Sequence, residues 1–318
     1  MNDSVGHRDR GKVVGNIRDF LLAAEALPSP RGAALQLIEL SRDPETSIDA
    51  VVKVIRSDPA LSGFVLRAAS AARFGRTERA LDLKHAVVRL GMNIVRAHAL
   101  ALSLAGSRVR SDCARFDYNA FWTGALLNAA VMEALARYRG DLPAPEAFTL
   151  GLLSDIGKLA FATAAPAAYD RVLERSAEEC AGQDPAQDGV DRFEQEAFGF
   201  DHHELSAVLL ADWGLPTMLA DVVYWQSDPE GGGFTAESRA YRLACGLQFA
   251  TRLAETCLAD EADVDSVGTV YLRGAILELS PDEVRTLATE ALGELPGWTE
   301  LVRLPKPRIS ALPSSWVS

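Results

Sequence analysis

Few residues in this chain could do chemistry, and they fall in three short segments. The first is Gly151-Leu152-Leu153-Ser154-Asp155-Ile156-Gly157-Lys158-Leu159. The second is Phe198-Gly199-Phe200-Asp201-His202-His203-Glu204-Leu205. The third is Trp213-Gly214-Leu215-Pro216, followed by Tyr224-Trp225-Gln226-Ser227-Asp228-Pro229. Carboxylates and imidazoles hold divalent metals, and a catalytic metal takes about three protein ligands plus an open water position. Asp155 and His202 are the evident candidates. Consecutive helix residues diverge by about a quarter turn or more. His203 is therefore not expected to chelate beside His202, and it is expected to face solvent.

Each of these residues also has a plain structural reading. Asp155 stands where one helix ends and Gly157 turns the chain, so it can bond backbone N–H groups or pair with Lys158. Asp201 and Glu204 have the spacing of a helix cap and its third-position acid. His202 reads as a hydrogen-bonded core histidine, and Trp213, Leu215 and Pro216 as helix-end packing. His85 and His98 lie on apolar helices and read as core or interface residues. Arg67, Arg73, Arg89 and Arg96 read as solvated or ion-paired faces. The chain contains no GxGxxG, P-loop or G-x-S-x-G, so dinucleotide-binding, P-loop and α/β-hydrolase readings lack support.

Together the three segments resemble the HDOD family (HD-related output domain), a relative of the HD and HD-GYP phosphohydrolases. Leu27-Pro28-Ser29-Pro30, Ile55-Arg56-Ser57-Asp58-Pro59-Ala60-Leu61 and Ala86-Val87-Val88-Arg89-Leu90-Gly91 extend the resemblance into the first half, over about Leu27 to Ala254. It implies an all-α fold, with an N-terminal helical subdomain packed on a degenerate HD-phosphohydrolase-like helical domain. HD phosphohydrolases bind one or two divalent metals through a first His, a His-Asp pair, further His residues and a late Asp; the metal activates water. The resemblance places Gly124 at the first His and Ser154 at the His of the pair. Asp155 and His202 are retained. Trp225 and Gln226 stand at the later His cluster, and Cys245 at the late Asp. Glycine offers no ligand, and an indole N–H is a donor only. The resemblance thus implies a vestigial pocket with no catalytic residue, no metal and no cofactor, its volume filled by Trp225.

The function it implies is a non-catalytic bacterial signal-transduction or regulatory protein that engages a protein partner. One alternative is a small-molecule sensor that binds a nucleotide in the vestigial cleft, with Tyr224 and Trp225 as stacking surfaces. A second is a residual metal-dependent phosphohydrolase.

The elements that must position these residues are helical almost throughout, with Ala and Leu dominating the apolar positions. Ser47 and Asp58-Pro59 start helices, Asn93 is read as the cap of a helix from Ile94, and one helix spans about Tyr118 to Arg139. Ser280-Pro281-Asp282-Glu283 is a strong start signal. The expected division is a flexible leader at 1–15, an N-terminal helical subdomain at 16–110, a degenerate HD-like subdomain at 111–260, and a C-terminal helix and tail at 261–318. The chain has 318 residues, 48% hydrophobic and 24% charged, which suffices for a packed core. A net charge of −12 disfavours nucleic acid. The N-terminus lacks an apolar signal-peptide region, no apolar run reads as long enough to span a bilayer, and the four cysteines show no metal-like spacing. A cytoplasmic protein with no membrane partner is the expectation.

Overall fold

The computed structural model describes residues 10–24, 32–40, 46–71, 82–106, 113–140, 142–179, 189–259, 264–302 and 304–305. Among the described residues there are sixteen α-helices and no strand. The first six are α1 (Arg10–Ala23), α2 (Ala33–Leu40), α3 (Ile48–Arg56), α4 (Pro59–Ala71), α5 (Leu83–Leu90) and α6 (Met92–Gly106). Then come α7 (Tyr118–Arg139), α8 (Ala144–Leu153), α9 (Ile156–Ala164), α10 (Pro166–Glu179), α11 (Val190–Phe198) and α12 (His202–Asp212). The last four are α13 (Thr217–Tyr224), α14 (Arg239–Leu258), α15 (Val264–Ile276) and α16 (Pro281–Leu301).

Two hydrophobic cores organise them. The smaller joins α2 to α6 through residues such as Leu37, Val51, Ile55, Leu61, Val65, Val87 and Val95. The larger surrounds α7, which is buried continuously from Leu126 to Ala136. A helix apolar on every side belongs inside a core, and α8, α14 and α16 pack around this one. Its ends are set locally. The Asp117 side chain accepts from the N–H groups of Asn119 and Ala120, and Gly140 closes the helix in the left-handed region at φ 71°.

The seam between the cores is aromatic. Phe64 of α4 lies 5.7 Å from Phe148 of α8 and 4.8 Å from Trp298 of α16, and His98 of α6 lies 4.8 Å from Phe64. Arg96 also crosses the seam. It is buried and donates to the Gly214 carbonyl, so it is not the solvated face its sequence setting suggested.

Several boundaries differ from the sequence reading. The first helix begins at Arg10, inside the expected leader. It joins the larger core, not the 16–110 unit, because Ile17 is fully buried there and Phe20 meets Phe161, Phe198 and Phe200 edge-on. The region 261–318 carries two helices, α15 and α16, instead of one. Asn93 falls inside α6, which starts directly after Gly91. The stretch Ala144–Ala164 is long and apolar enough to cross a membrane by length and composition, contrary to the sequence reading. Its most apolar window is 83% buried within the protein, and a turn at Ser154-Asp155 divides it. Leu27-Pro28-Ser29-Pro30, Asp43-Pro44, Arg73, Gly75 and residues 184–188 lie outside the described residues.

Candidate functional site

Two glycines bring the site together. A Cβ on Gly151 would stand 2.9 Å from the Ala129 Cα and the Asn128 carbonyl, so only glycine lets α8 lie this close to α7. A Cβ on Gly157 would overlap the His202 carbonyl. The Gly157 N–H donates instead to Ser206 Oγ at 2.8 Å, and that hydroxyl donates to the His202 carbonyl at 2.6 Å. The starts of α9 and α12 are thereby locked together, and Asp155 is held beside His202.

The start of α12 is a full capping box. Asp201 accepts from the N–H groups of His203 and Glu204, and Glu204 accepts from the Asp201 N–H. His202 and His203 are the first two helical residues. Their rings lie 3.9 Å apart, and with Asp155 they offer three ligand atoms within 4.8 Å of one another. This corrects the expectation that they diverge. Helical side chains lean toward the N-terminus, over the preceding turn. In the first turn there is no preceding turn to separate them, and the two rings stand side by side. Nor does His203 face solvent, for its side chain is only 14% exposed.

His202 is a hydrogen-bonded core histidine, as its sequence setting suggested. Its Nδ1 lies 2.6 Å from Glu194 Oε2, and its backbone N–H donates to the same oxygen at 2.8 Å. The other Glu194 oxygen accepts from the Tyr169 hydroxyl at 2.9 Å. Burial works against a charged imidazole here, but the Glu194 carboxylate outweighs it and raises the pKa of His202. Burial and the neighbouring His202 push His203 the other way, down to about 4. Asp155 pairs with Lys158 at 3.2 Å and makes no side-chain cap bond. Burial opposes its charge too, but the Lys158 ammonium and the two imidazoles hold its carboxyl well below the usual range.

Beside this cluster opens a cavity of about 870 Å³, lined in part by Gly124, Asn128, Ser154, Asp155, Lys158 and Thr251. Three of its polar lining groups form a neutral floor, beside the charged Arg115, Asp117, Asp155, Lys158 and Glu255. The Asn128 amide donates to Ser154 Oγ at 3.3 Å and to Thr251 Oγ1 at 3.2 Å. Gly124 leaves its wall open: a Cβ there would meet only Leu258 Cδ1, at 4.0 Å.

The remaining expected pocket residues sit differently. Trp225 does not line the cavity; it stacks edge-on with Tyr224 and lies under Gly232. The side chain that turns inward is its neighbour Gln226, whose amide donates to the Ser154 carbonyl at 3.3 Å and lies 2.6 Å from His203 Nδ1. Cys245 is buried elsewhere on α14, bonded to Tyr241, and Thr251 is the residue of that helix that meets Ser154's partner. Glu194, Asn128 and Thr251 were not anticipated. Asn128 and Thr251 are 123 positions apart in the chain. Glu194 carried a local signal: it follows Phe193 on the apolar face of α11, where a carboxylate needs a buried partner.

The ligand set of an HD-type metal pair does not fit this pocket. Gly124 supplies no donor atom, Ser154 is tied to Asn128, and Gln226, which the resemblance places at the later His cluster, turns its amide to the Ser154 carbonyl and His203.

Fold and pocket together define an all-helical protein of the HD-related type. The chain belongs to the HDOD domain family, which matches residues 27–229. Among solved structures it is similar to an HDOD domain protein of unknown function from Geobacter sulfurreducens. That likeness has 18% identity and a TM-score of 0.59, over 92% of this chain and 98% of the other. A protein of Shewanella amazonensis SB2B, named as a candidate phosphohydrolase, is 24% identical with a TM-score of 0.62, over 94% and 98% of the two chains. A protein of Marinobacter aquaeolei VT8, named as a candidate signal-transduction protein, is 20% identical with a TM-score of 0.59, over 95% and 67%. A relative from Treponema pallidum, itself uncharacterized, is 26% identical over 216 residues. The match takes in 67% of this chain but only 39% of that relative's length.

Proposed function

We propose that this chain is a non-catalytic regulatory protein that acts by binding a protein partner of a signalling pathway. The observation that carries the reading is that Ser154, where the resemblance places a ligand histidine, belongs to a neutral floor with Asn128 and Thr251. A phosphohydrolase must neutralise phosphate charge and activate water with a metal, and this floor offers amide and hydroxyl groups bonded to one another. The family membership and the Marinobacter relative's name favour a signalling role. Two assays test it together. Purified protein given phosphomonoester and phosphodiester substrates with Mn²⁺ or Mg²⁺ is expected to show no turnover. Affinity capture from the native host, compared with a deletion strain, is expected to recover a specific partner. Turnover, or a deletion without effect and no partner, overturns the reading.

A second reading is favoured by the cavity itself. Its volume lies within the range of small-molecule sites, and Gly124 keeps it open. In this reading the chain senses a small ligand, such as a nucleotide, without transforming it. Thermal-shift screening against cyclic and linear nucleotides tests it, and an unmoved melting temperature at saturating ligand removes nucleotides from consideration.

A further inference from the structure

We propose that Asp155, His202 and His203 form a single-ion site for a divalent transition metal of the Zn²⁺, Co²⁺ or Ni²⁺ class. The site uses His203, which stands at none of the positions where the family resemblance places a ligand. It bears on the regulatory reading: an ion held here without turnover leaves that reading intact, and ion-dependent turnover overturns it.

Four observations carry it. First, the three residues come from two elements locked by the Gly157–His202 contact, and their ligand atoms lie within 4.8 Å of one another. A metal at about 2.0–2.2 Å from N and O donors brackets donor pairs out to roughly 4 Å, so closure needs the widest pair to approach by about 1 Å. Second, His202 Nε2 and Asp155 Oδ1 are buried without a hydrogen-bond partner. Native proteins leave few such atoms unpaired, and here two stand in one cluster. The approach that Asp155 Oδ1 does have is His203 Nδ1, at 3.7 Å, which is the third donor.

Third, the outer partners are those of a ligand set. A metal-binding histidine typically gives its other ring nitrogen to a carboxylate, which fixes the ring. Glu194 holds His202 Nδ1 at 2.6 Å and is itself held by Tyr169, leaving Nε2 as the open nitrogen. Lys158 takes the second oxygen of Asp155 and leaves Oδ1. Fourth, Asp155 lines the 870 Å³ cavity, which gives an ion a way in. Two imidazoles and one carboxylate favour borderline ions over Mg²⁺ or Ca²⁺, which prefer oxygen. The Gln226 amide, 2.6 Å from His203 Nδ1, is the group an arriving ion displaces.

The test uses untagged full-length protein, stripped with chelator and titrated with Co²⁺ and with Zn²⁺. The chain has five histidines, so the imidazoles can be followed one by one by ¹⁵N NMR. One ion per chain is expected, with visible d–d absorption for Co²⁺ and ring shifts at His202 and His203. His203→Ala, checked for an unchanged circular dichroism spectrum, is expected to weaken binding at least tenfold. His85→Ala, at an exposed Asp82–His85 pair, is expected to leave it unchanged. Failure of the wild type to retain an ion, or ring shifts at His7 or His85 alone, overturns the proposal. So does a folded His203→Ala that binds as the wild type does. The NMR arm decides the matter even where His203→Ala fails to fold. Loss of the ion site leaves partner capture untouched, so the two proposals fail separately.

Discussion

Among the described residues two histidines are buried, and they are treated in opposite ways. His98 is fully buried at the aromatic seam, 4.8 Å from Phe64 and 5.8 Å from Phe148, and neither ring nitrogen has a hydrogen-bond partner. Burial alone pushes its pKa down to about 3, so at neutral pH it packs as an uncharged aromatic ring. His202 is 3% exposed, yet Glu194 raises its pKa. Burial does not decide what a histidine is for. A carboxylate within bonding distance raises the pKa of a buried ring that burial alone would lower, and only one of the two regions supplies it.

The largest expected effect comes from removing that carboxylate. Glu194→Ala should turn His202 into a second His98. It should cost at least about 3 kcal/mol, measured by urea unfolding, because the Tyr169 hydroxyl, the His202 N–H and His202 Nδ1 all lose their buried acceptor at about 1–3 kcal/mol each. The His202 ring should then titrate below its wild-type value by NMR. An unchanged titration would break the comparison. Next in size, Gly157→Ala forces the starts of α9 and α12 apart and should cost about 1–3 kcal/mol, as overpacking does. In a crystal structure of the variant, Asp155 and His202 should separate. Asp201→Ala removes the cap that sets both imidazoles, for about 1 kcal/mol in thermal melts.

His98→Leu should change stability at neutral pH by under about 1.5 kcal/mol, and it sharpens the contrast through pH. Folded His98 ionises near 3 and the unfolded residue near 6.5, so the unfolded chain takes up the proton first. Stability present above pH 6.5 is therefore lost as pH falls toward 3. His202 has the opposite sign. Its folded pKa is raised, so its contribution is complete below 6.5 and is lost as pH rises through the folded value. His98→Leu should move the acid-unfolding midpoint to lower pH, read by circular dichroism. An unmoved midpoint would mean that His98 is not the residue whose protonation opens the seam.

Much of the helical framework was legible in the sequence because its punctuation is local. Asp201 with Glu204 and Ser280 with Glu283 both form the capping boxes their spacing spells, and the span Tyr118–Arg139 is fixed by Asp117 and Gly140 at its ends. The candidate site was legible only in part. Asp155, Ser154 and Gly124 could be named from the motif around them, and they do share one cavity. Cys245 was misplaced because α14 is 20 residues long and apolar over much of its length, so pattern alone does not say which turn meets Asn128. Trp225 and Gln226 were both placed in the pocket, yet only the polar one turns inward, because Ser154 and His203 offer it bonds. The approach of His202 and His203 escaped a rule about Cβ directions that loses force in the first turn of a helix.

The Gly157–His202 contact has a mechanical consequence. Backbone presses on backbone there, with no side chain between to deform, so the joint has no slack. A tilt of α12 is handed directly to the Ser154-Asp155 corner, and a push on the cavity floor is handed back. The exposed end of α12, at Ala211 and Asp212, and the interior of the cavity are in this sense two handles on one lever.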